Sequence, residues 1–455
     1  MIVQKIYLPI LNFIYKFTGR LNEKVRNVLM VVCLAIEIIS TYVYQIDEFL
    51  GFICPAMINT LVGIAAFGGM MIFSINGEMK PIGIRRIILY PMMLCGVIVF
   101  ISGIHHYIGY SYMCLGLFMA FVMPAYILIW GNRKDFDSLF KPIAFISVAL
   151  FVIYFVANCI AAPMTNPECF VGGRYSGLAS DPNGIAKTAV VSCLCAIYIL
   201  YTAKSKWKYT MVPIISMSIA MTILTVSRAN LLALIIVIVF SVIFLLKKIL
   251  INKDNKLHEI IALVCMIAIV AMLVPVFSKC FELKQYNASA EATVEQNAPV
   301  DVEERILISK GQDGKADYNA LSSGRIGIWK YCLDNVSIFG NNVENGVVLK
   351  KDIGKIEITQ DHTHNTTIEL LHRSGVFAGL TFFILEFACA VWVISRVLVM
   401  RKNKPYEVFA VLSITAFGIA SLFDIVVLPF AKITVLLFYI CLAAIAMKEK
   451  LGASE

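Results

Sequence analysis

Runs of about eighteen or more residues almost free of charge recur along this 455-residue chain. Each is long enough to cross the roughly 30 Å hydrocarbon core of a bilayer as an α-helix. In lipid a backbone must satisfy its own hydrogen bonds, which an isolated segment does by becoming helical. The runs fall at about 27–46, 52–74, 84–104, 108–130, 141–161, 183–203, 209–226, 229–247, 257–278, 374–397, 406–424 and 429–447. The expectation is an all-α polytopic membrane protein with about twelve spans. Composition agrees: hydrophobic residues make up 59% and charged residues 15%, with a mean hydropathy of +0.81. Soluble domains carry about 25% charge. The first residues hold Lys5, Lys16, Arg20, Lys24 and Arg26 around short apolar patches, without a small-residue cleavage site. They read as an interfacial segment, not a removable signal peptide.

Short cytoplasmic loops carry an excess of lysine and arginine, and this bias sets the orientation. With the N-terminus inside, the cytoplasmic turns hold Lys80/Arg85/Arg86, Arg133/Lys134/Lys141, Lys204/Lys206/Lys208, Lys247/Lys248/Lys253/Lys256 and Arg396/Arg401/Lys402/Lys404. Lys448 and Lys450 follow in the tail. Together with the N-terminal segment these sites contain more than half of the 39 basic residues. The short turns at 47–51 and 105–107 on the other side contain none. The net charge of +9 thus reflects membrane orientation, and no nucleic-acid partner is expected.

Between the ninth and tenth runs lies a polar stretch of roughly 95 residues, 279–373, a length typical of functional or disordered loops. It divides the chain into an N-terminal bundle of about nine spans (1–278), a large extracytoplasmic loop (279–373), and three C-terminal spans with a cytoplasmic tail (374–455). The first third of the loop, Asn287 to Asp317, is acidic and poor in apolar residues. Beyond it Ser322 or Ser323 is placed to cap a helix in which Ile326, Trp329, Leu333 and Val336 form one apolar stripe, suited to the membrane surface. Gly340-Asn341-Asn342 ends that helix. Thr363 is placed to cap a second, carrying Ile368, Leu370 and Leu371 and ending near Gly375. Most of the thirteen cysteines fall inside spans, while Cys169, Cys280 and Cys332 fall in outer segments where a disulfide is open to them.

Several polar side chains sit where a bilayer makes them costly. Arg228 follows Thr-Val-Ser at the outer end of the seventh run, and the eighth begins at once, so its guanidinium is held near headgroup depth. A snorkelling arginine would explain it equally well. Arg174 lies in the outer loop 162–182, ahead of Asp181-Pro182, a helix start with a capping carboxylate and an early proline. Lys187 sits one turn further on. Converging cations suit one anionic ligand, and the arginine fork suits paired phosphate oxygens. His105, His106 and His258 lie at span ends and read as interfacial, whereas His362, His364 and His372 cluster just before the tenth span. Histidine is the side chain best placed to take a proton near neutral pH. No cysteine or histidine spacing completes a ligand set, so neither a metal nor a cofactor is expected.

Arg174-x-x-Gly177 with Asp-Pro-Asn at 181–183, Thr-x-Ser-Arg at 225–228, Ser-Gly-Arg-Ile-x-Ile-Trp at 323–329 and His-Asn at 364–365 together resemble the O-antigen polymerase and ligase superfamily. The resemblance runs from about residue 170 to 400. It implies a metal-free membrane glycosyltransferase of the GT-C type in the bacterial cytoplasmic membrane, with an outward active site and undecaprenyl-diphosphate-linked oligosaccharides as substrates. The family's essential arginines and histidine fall at Arg174, Arg228, Arg325 and His364. Lys187, Asn365, Asn183, Trp329 and Tyr175 stand around them as substrate-binding candidates. Membrane lipid, a chain-length regulator and a flippase of the same pathway are the further partners it suggests. In this reading the arginines stabilise the diphosphate leaving group and His364 accepts the proton of the attacking hydroxyl. Asn365 orients the acceptor or caps its helix. The longer acidic insert departs from the family pattern and leaves acceptor handling open. Polymerase is favoured over ligase because the loop lacks a basic cluster suited to a phosphate-rich lipopolysaccharide core.

The rival is a secondary transporter or a flippase of lipid-linked glycans. Intramembrane carboxylates are functional suspects, here Glu37, Glu386 and Asp424 near Lys432. The long outer loop and the lack of matching broken-helix halves argue against it. Asp47-Glu48 would suit a polyprenyl-phosphate-dependent transferase, but such a pair is ordinary turn composition.

Overall fold

The computed structural model describes residues 2–50, 56–106, 110–160, 170–171, 174–177, 181–251, 256–289, 325–341, 347–350, 357–360, 363–399, 403–424 and 432–448. Its helices are α1 (Ile2–Thr18), α2 (Glu23–Leu50), α3 (Ala56–Ser74), α4 (Arg86–His106), α5 (Tyr110–Leu117), α6 (Met123–Arg133), α7 (Asp137–Ile160), α8 (Pro182–Thr202), α9 (Met211–Leu224), α10 (Arg228–Ile251) and α11 (Lys256–Ser289). Then come α12 (Arg325–Asp334), α13 (Thr366–Ser374), α14 (Val376–Leu398), α15 (Pro405–Phe423) and α16 (Ile433–Ala446). A π-helical turn, Phe118–Val122, joins α5 to α6 into one span. Two antiparallel strand pairs are also described, β1 (Phe170–Val171) with β2 (Arg174–Tyr175), and β3 (Val347–Lys350) with β4 (Glu357–Gln360).

Among the described residues ten helices are long and apolar enough to cross a membrane, and the shorter apolar helices Leu61–Ser74 and Ile433–Ala446 complete the series. Each overlaps one of the runs read from the sequence. The chain is an all-α, multi-pass membrane protein. Its centre is α8, 94% of whose spanning window is buried, with α16 beside it. Small residues explain the position: Ala186, Ala189, Ser192, Cys193 and Ala196 let neighbouring helices approach α8 closely. At the edge, the spanning window of α11 is only 6% buried, its isoleucines and valines facing outward as on a lipid-exposed helix.

The two ends of the bundle differ. At one end cations close the C-termini of helices that arrive there. Lys247 Nζ donates to the carbonyls of Arg396, Val397 and Val399 at the end of α14. Lys248 reaches Tyr201 O on α8 (2.7 Å), Arg85 reaches Ile445 O on α16 (2.9 Å), and Arg133 reaches Ser74 O on α3 (3.3 Å). At the opposite end the loop helices settle on the bundle. The segment after α12 lies against the corner between α13 and α14, where Asn341 N–H bonds His372 O (3.1 Å) and Val376 N–H bonds Ser337 O (3.2 Å). Gly340 and Gly375 make that corner, both at positive φ, and a Cβ on either would fall 2.1 Å from a backbone oxygen of the other strand of chain.

Three local expectations change. α12 turns Ile328 and Cys332 inward, against Ile368, while Ile326 and Leu333 stay exposed. The apolar stripe is therefore the outer face, because the core-facing side is set by docking on α13. The cap of α13 is Asn365, whose side chain accepts from Ile368 N–H; Thr363 braces the turn before it. Cys332 is a buried free thiol, and Cys169 lies outside the described residues, as do Ser322, Ser323 and His362.

Candidate functional site

Opposite the lysine-capped end, the N-termini of α8, α10 and α12 meet the C-terminus of α15. They form a small, partly open cavity lined by Asn183, Lys187, Ser227, Ala229, Asn230, Arg325, Ala420, Phe423 and Asp424. Helix N-termini carry partial positive charge and unsatisfied N–H groups, so their meeting favours an anion.

Each cation is fixed by its own local structure. Asp181 caps α8, accepting from Asn183 N–H (2.9 Å) and Gly184 N–H (3.0 Å), with Pro182 pre-set for the first turn. This fixes Asn183, whose Oδ1 accepts from Arg174 Nη2 (2.7 Å) and from Ser227 Oγ (2.9 Å). Arg174, on β2, also donates through Nε to Thr225 O (2.9 Å). The Thr225–Arg228 hairpin turns on Val226 at φ 48°, an outlier for a β-branched residue. Ser227 in turn accepts from Asn230 (2.8 Å). The hairpin thus holds Arg228 half-buried at the first residue of α10.

Lys187 is buried and ion-paired with Asp424, which also lies 3.5 Å from Lys432 Nζ. The lysine that the sequence offers as a ligand contact thus already has a carboxylate partner. Arg325 is the first residue of α12, and its Nε is buried with no hydrogen-bond partner among the described residues. Burial lowers its pKa below the ordinary guanidinium range. The Asp424 carboxylate opposes that shift and the Arg228 charge adds to it, so the three groups share one field.

His364 lies in the turn before α13 on a left-handed backbone, φ 55°. The next residues tie the turn to the cavity wall: Asn365 Nδ2 donates to Leu422 O (3.2 Å), and Thr366 Oγ1 donates to Asp424 O (3.0 Å). From the other side Trp329 Nε1 donates to Thr363 O (2.9 Å), docking the arginine-bearing α12 on the histidine turn. His372 is different. It is buried under the corner, and burial lowers its imidazole pKa.

The sequence candidates therefore sort by place. Asn183, Lys187 and Arg325 line the cavity, Arg174 is bonded to Asn183, and Arg228 lies in the same electrostatic neighbourhood. Trp329 and Asn365 hold the His364 turn. Tyr175 is apart, packed with Phe151, Tyr154 and Ile185, its hydroxyl on Asn158 Oδ1 (3.3 Å). Ser227 entered the sequence reading only as part of the Thr-x-Ser-Arg motif, and Asn230 and Glu369 were not singled out. Asp424 was marked only as an intramembrane carboxylate, a clue from charge at a span end. Glu386, the other suspect of that kind, accepts the hydroxyls of Thr367 and Ser421 at 2.6 Å each and so pins α13 to α15.

Residues 213–383 match the O-antigen ligase family. Over that stretch, a little over a third of the chain, it is similar to the O-antigen ligase family. No curated protein matches it at a significant level. The matched region takes in Arg228, Arg325 and His364, while Arg174, Asn183, Lys187 and Asp424 lie outside it.

Proposed function

We propose that the chain belongs to the O-antigen polymerase and ligase superfamily and is a polysaccharide polymerase. It would couple undecaprenyl-diphosphate-linked repeat units at the outer face of the bacterial cytoplasmic membrane. The observation that carries this reading is Arg325: a half-buried guanidinium whose Nε has no hydrogen-bond partner among the described residues, in a cavity where three helix N-termini meet. A lipid diphosphate offers paired anionic oxygens to such a donor.

The acceptor hydroxyl oxygen attacks the anomeric carbon, and its proton passes to His364. The bond from the anomeric carbon to the diphosphate oxygen breaks with its electron pair, and undecaprenyl diphosphate leaves. A diphosphate leaves readily once its growing charge is met, so preorganised cations matter more than a general acid. Arg325, Arg228 and Arg174 meet that charge. Asp424 keeps Lys187 and Lys432 in place until the substrate arrives.

In the alternative, favoured by the description of the matched family, the glycan passes from the same donor to a lipopolysaccharide acceptor. Gel analysis of a deletion strain separates the two. Loss of a polymerase leaves single capped repeats, loss of a ligase leaves none attached, and loss of a flippase leaves no surface repeats. The chemistry is tested with purified protein and lipid-linked repeat in liposomes. His364→Ala should abolish chain growth while donor binding persists, and a chelator should have no effect. Full activity in His364→Ala removes the base. Chelator loss restored by a divalent ion removes the metal-free mechanism.

A further inference from the structure

The left-handed backbone at His364 is a conformation that a non-glycine residue keeps only when its surroundings over-determine it. The residue before it is held at every polar atom. Thr363 N–H donates to Glu369 Oε2 (2.9 Å), its carbonyl accepts from Trp329 (2.9 Å), and its hydroxyl donates to Asn365 O (2.8 Å). Among these partners Glu369 is the one that reaches the N-terminal bundle. Its other oxygen accepts the Tyr112 hydroxyl (2.7 Å) and pairs with Arg373, whose guanidinium lies over the Tyr112 ring, 5.7 Å from the centroid. Tyr112 opens the fourth span, far in sequence from the histidine turn.

The Glu369 side chain is fully buried. Burying a carboxylate is unfavourable unless it is paired and hydrogen-bonded, and helix packing alone would be served by an apolar residue. Here both oxygens are occupied, and their donors come from three places: the backbone beside the base, the bundle, and the following turn of α13. We infer that Glu369 is the positioning residue of the transfer reaction. It fixes the direction of the His364 imidazole by holding the backbone N–H of Thr363, the residue before the histidine, to the fourth span through Tyr112. The inference rests on His364 being the base, as proposed above.

Steady-state transfer in liposomes, with a synthetic diphosphate-linked repeat as donor, separates kcat from donor KM. Glu369→Gln should lower kcat by about 10- to 100-fold, the scale of a displacement near 1 Å. Its donor KM should stay within about twofold, because the diphosphate contacts belong to other residues. Tyr112→Phe removes one hydroxyl on a span far in sequence from the loop and should lower kcat by about threefold to tenfold with donor KM again unchanged. It carries the test alone if Glu369→Gln does not fold. The positioning role is overturned if these variants keep wild-type kcat, or if kcat and donor affinity fall together as in a site that has collapsed. If His364→Ala itself is fully active, the base assignment fails whatever Glu369 does. If His364→Ala is inactive while Glu369→Gln and Tyr112→Phe run at the wild-type rate, the positioning role alone fails.

Discussion

Arg228 sits on a hairpin with no slack. Val226 is at positive φ, and Ser227 is bonded to both Asn183 and Asn230. A side chain held this way presents a fixed planar fork, which lysine cannot imitate. Arg228→Lys should therefore lose at least about tenfold in transfer rate, nearly as much as Arg228→Ala, with an unchanged unfolding midpoint in detergent. A lysine variant that still makes full-length polymer would reduce Arg228 to an interfacial anchor. The cations of the site were legible because charge is conspicuous in a chain that is 59% hydrophobic. Their organisers were not. Ser227 and Asn230 look like ordinary small polar residues of a span, and the Lys187–Asp424 pair joins positions 237 apart. Glu369 reads as the polar side of an amphipathic helix until its partners on α5 and in the preceding turn are known.

The spans were legible almost to their ends, since hydrocarbon thickness and backbone self-satisfaction leave one solution for a long apolar run. The faces of the loop helices were less so. The stripe read on α12 stays exposed, because docking on α13 buries Ile328 and Cys332 instead, which no local period encodes. Also hidden was the partner of each helix C-terminus. Lys247 is 4% exposed and closes three carbonyls of α14. Charged hydrogen bonds contribute about 1.5–3 kcal/mol apiece when a buried partner would otherwise be stranded. Lys247→Met should thus lower the thermal unfolding midpoint of the detergent-solubilised protein. Lys206→Gln, at an exposed position of the same end, should leave it unchanged. Equal midpoints for the two variants would remove the capping role.

At the scale of the whole molecule, the site and the lysine-rich caps lie at opposite ends of the same helices. If the charge bias governs insertion, the cavity faces outward and both termini lie in the cytoplasm. Impermeant thiol labelling of intact cells, in a background without accessible native cysteines, should modify Lys350→Cys and leave Lys404→Cys untouched until the membrane is opened. The reverse pattern would invert the protein and remove its access to an outer-leaflet donor. Arg85, Arg133, Lys247 and Lys248 then carry two instructions at once, an address read during insertion and a staple used after folding. Mutational drift at these four positions meets two independent filters. Moving positive charge along the loops by a few residues would keep the address and lose the staple, so libraries selected only for orientation will return correctly inserted chains that unravel from one end.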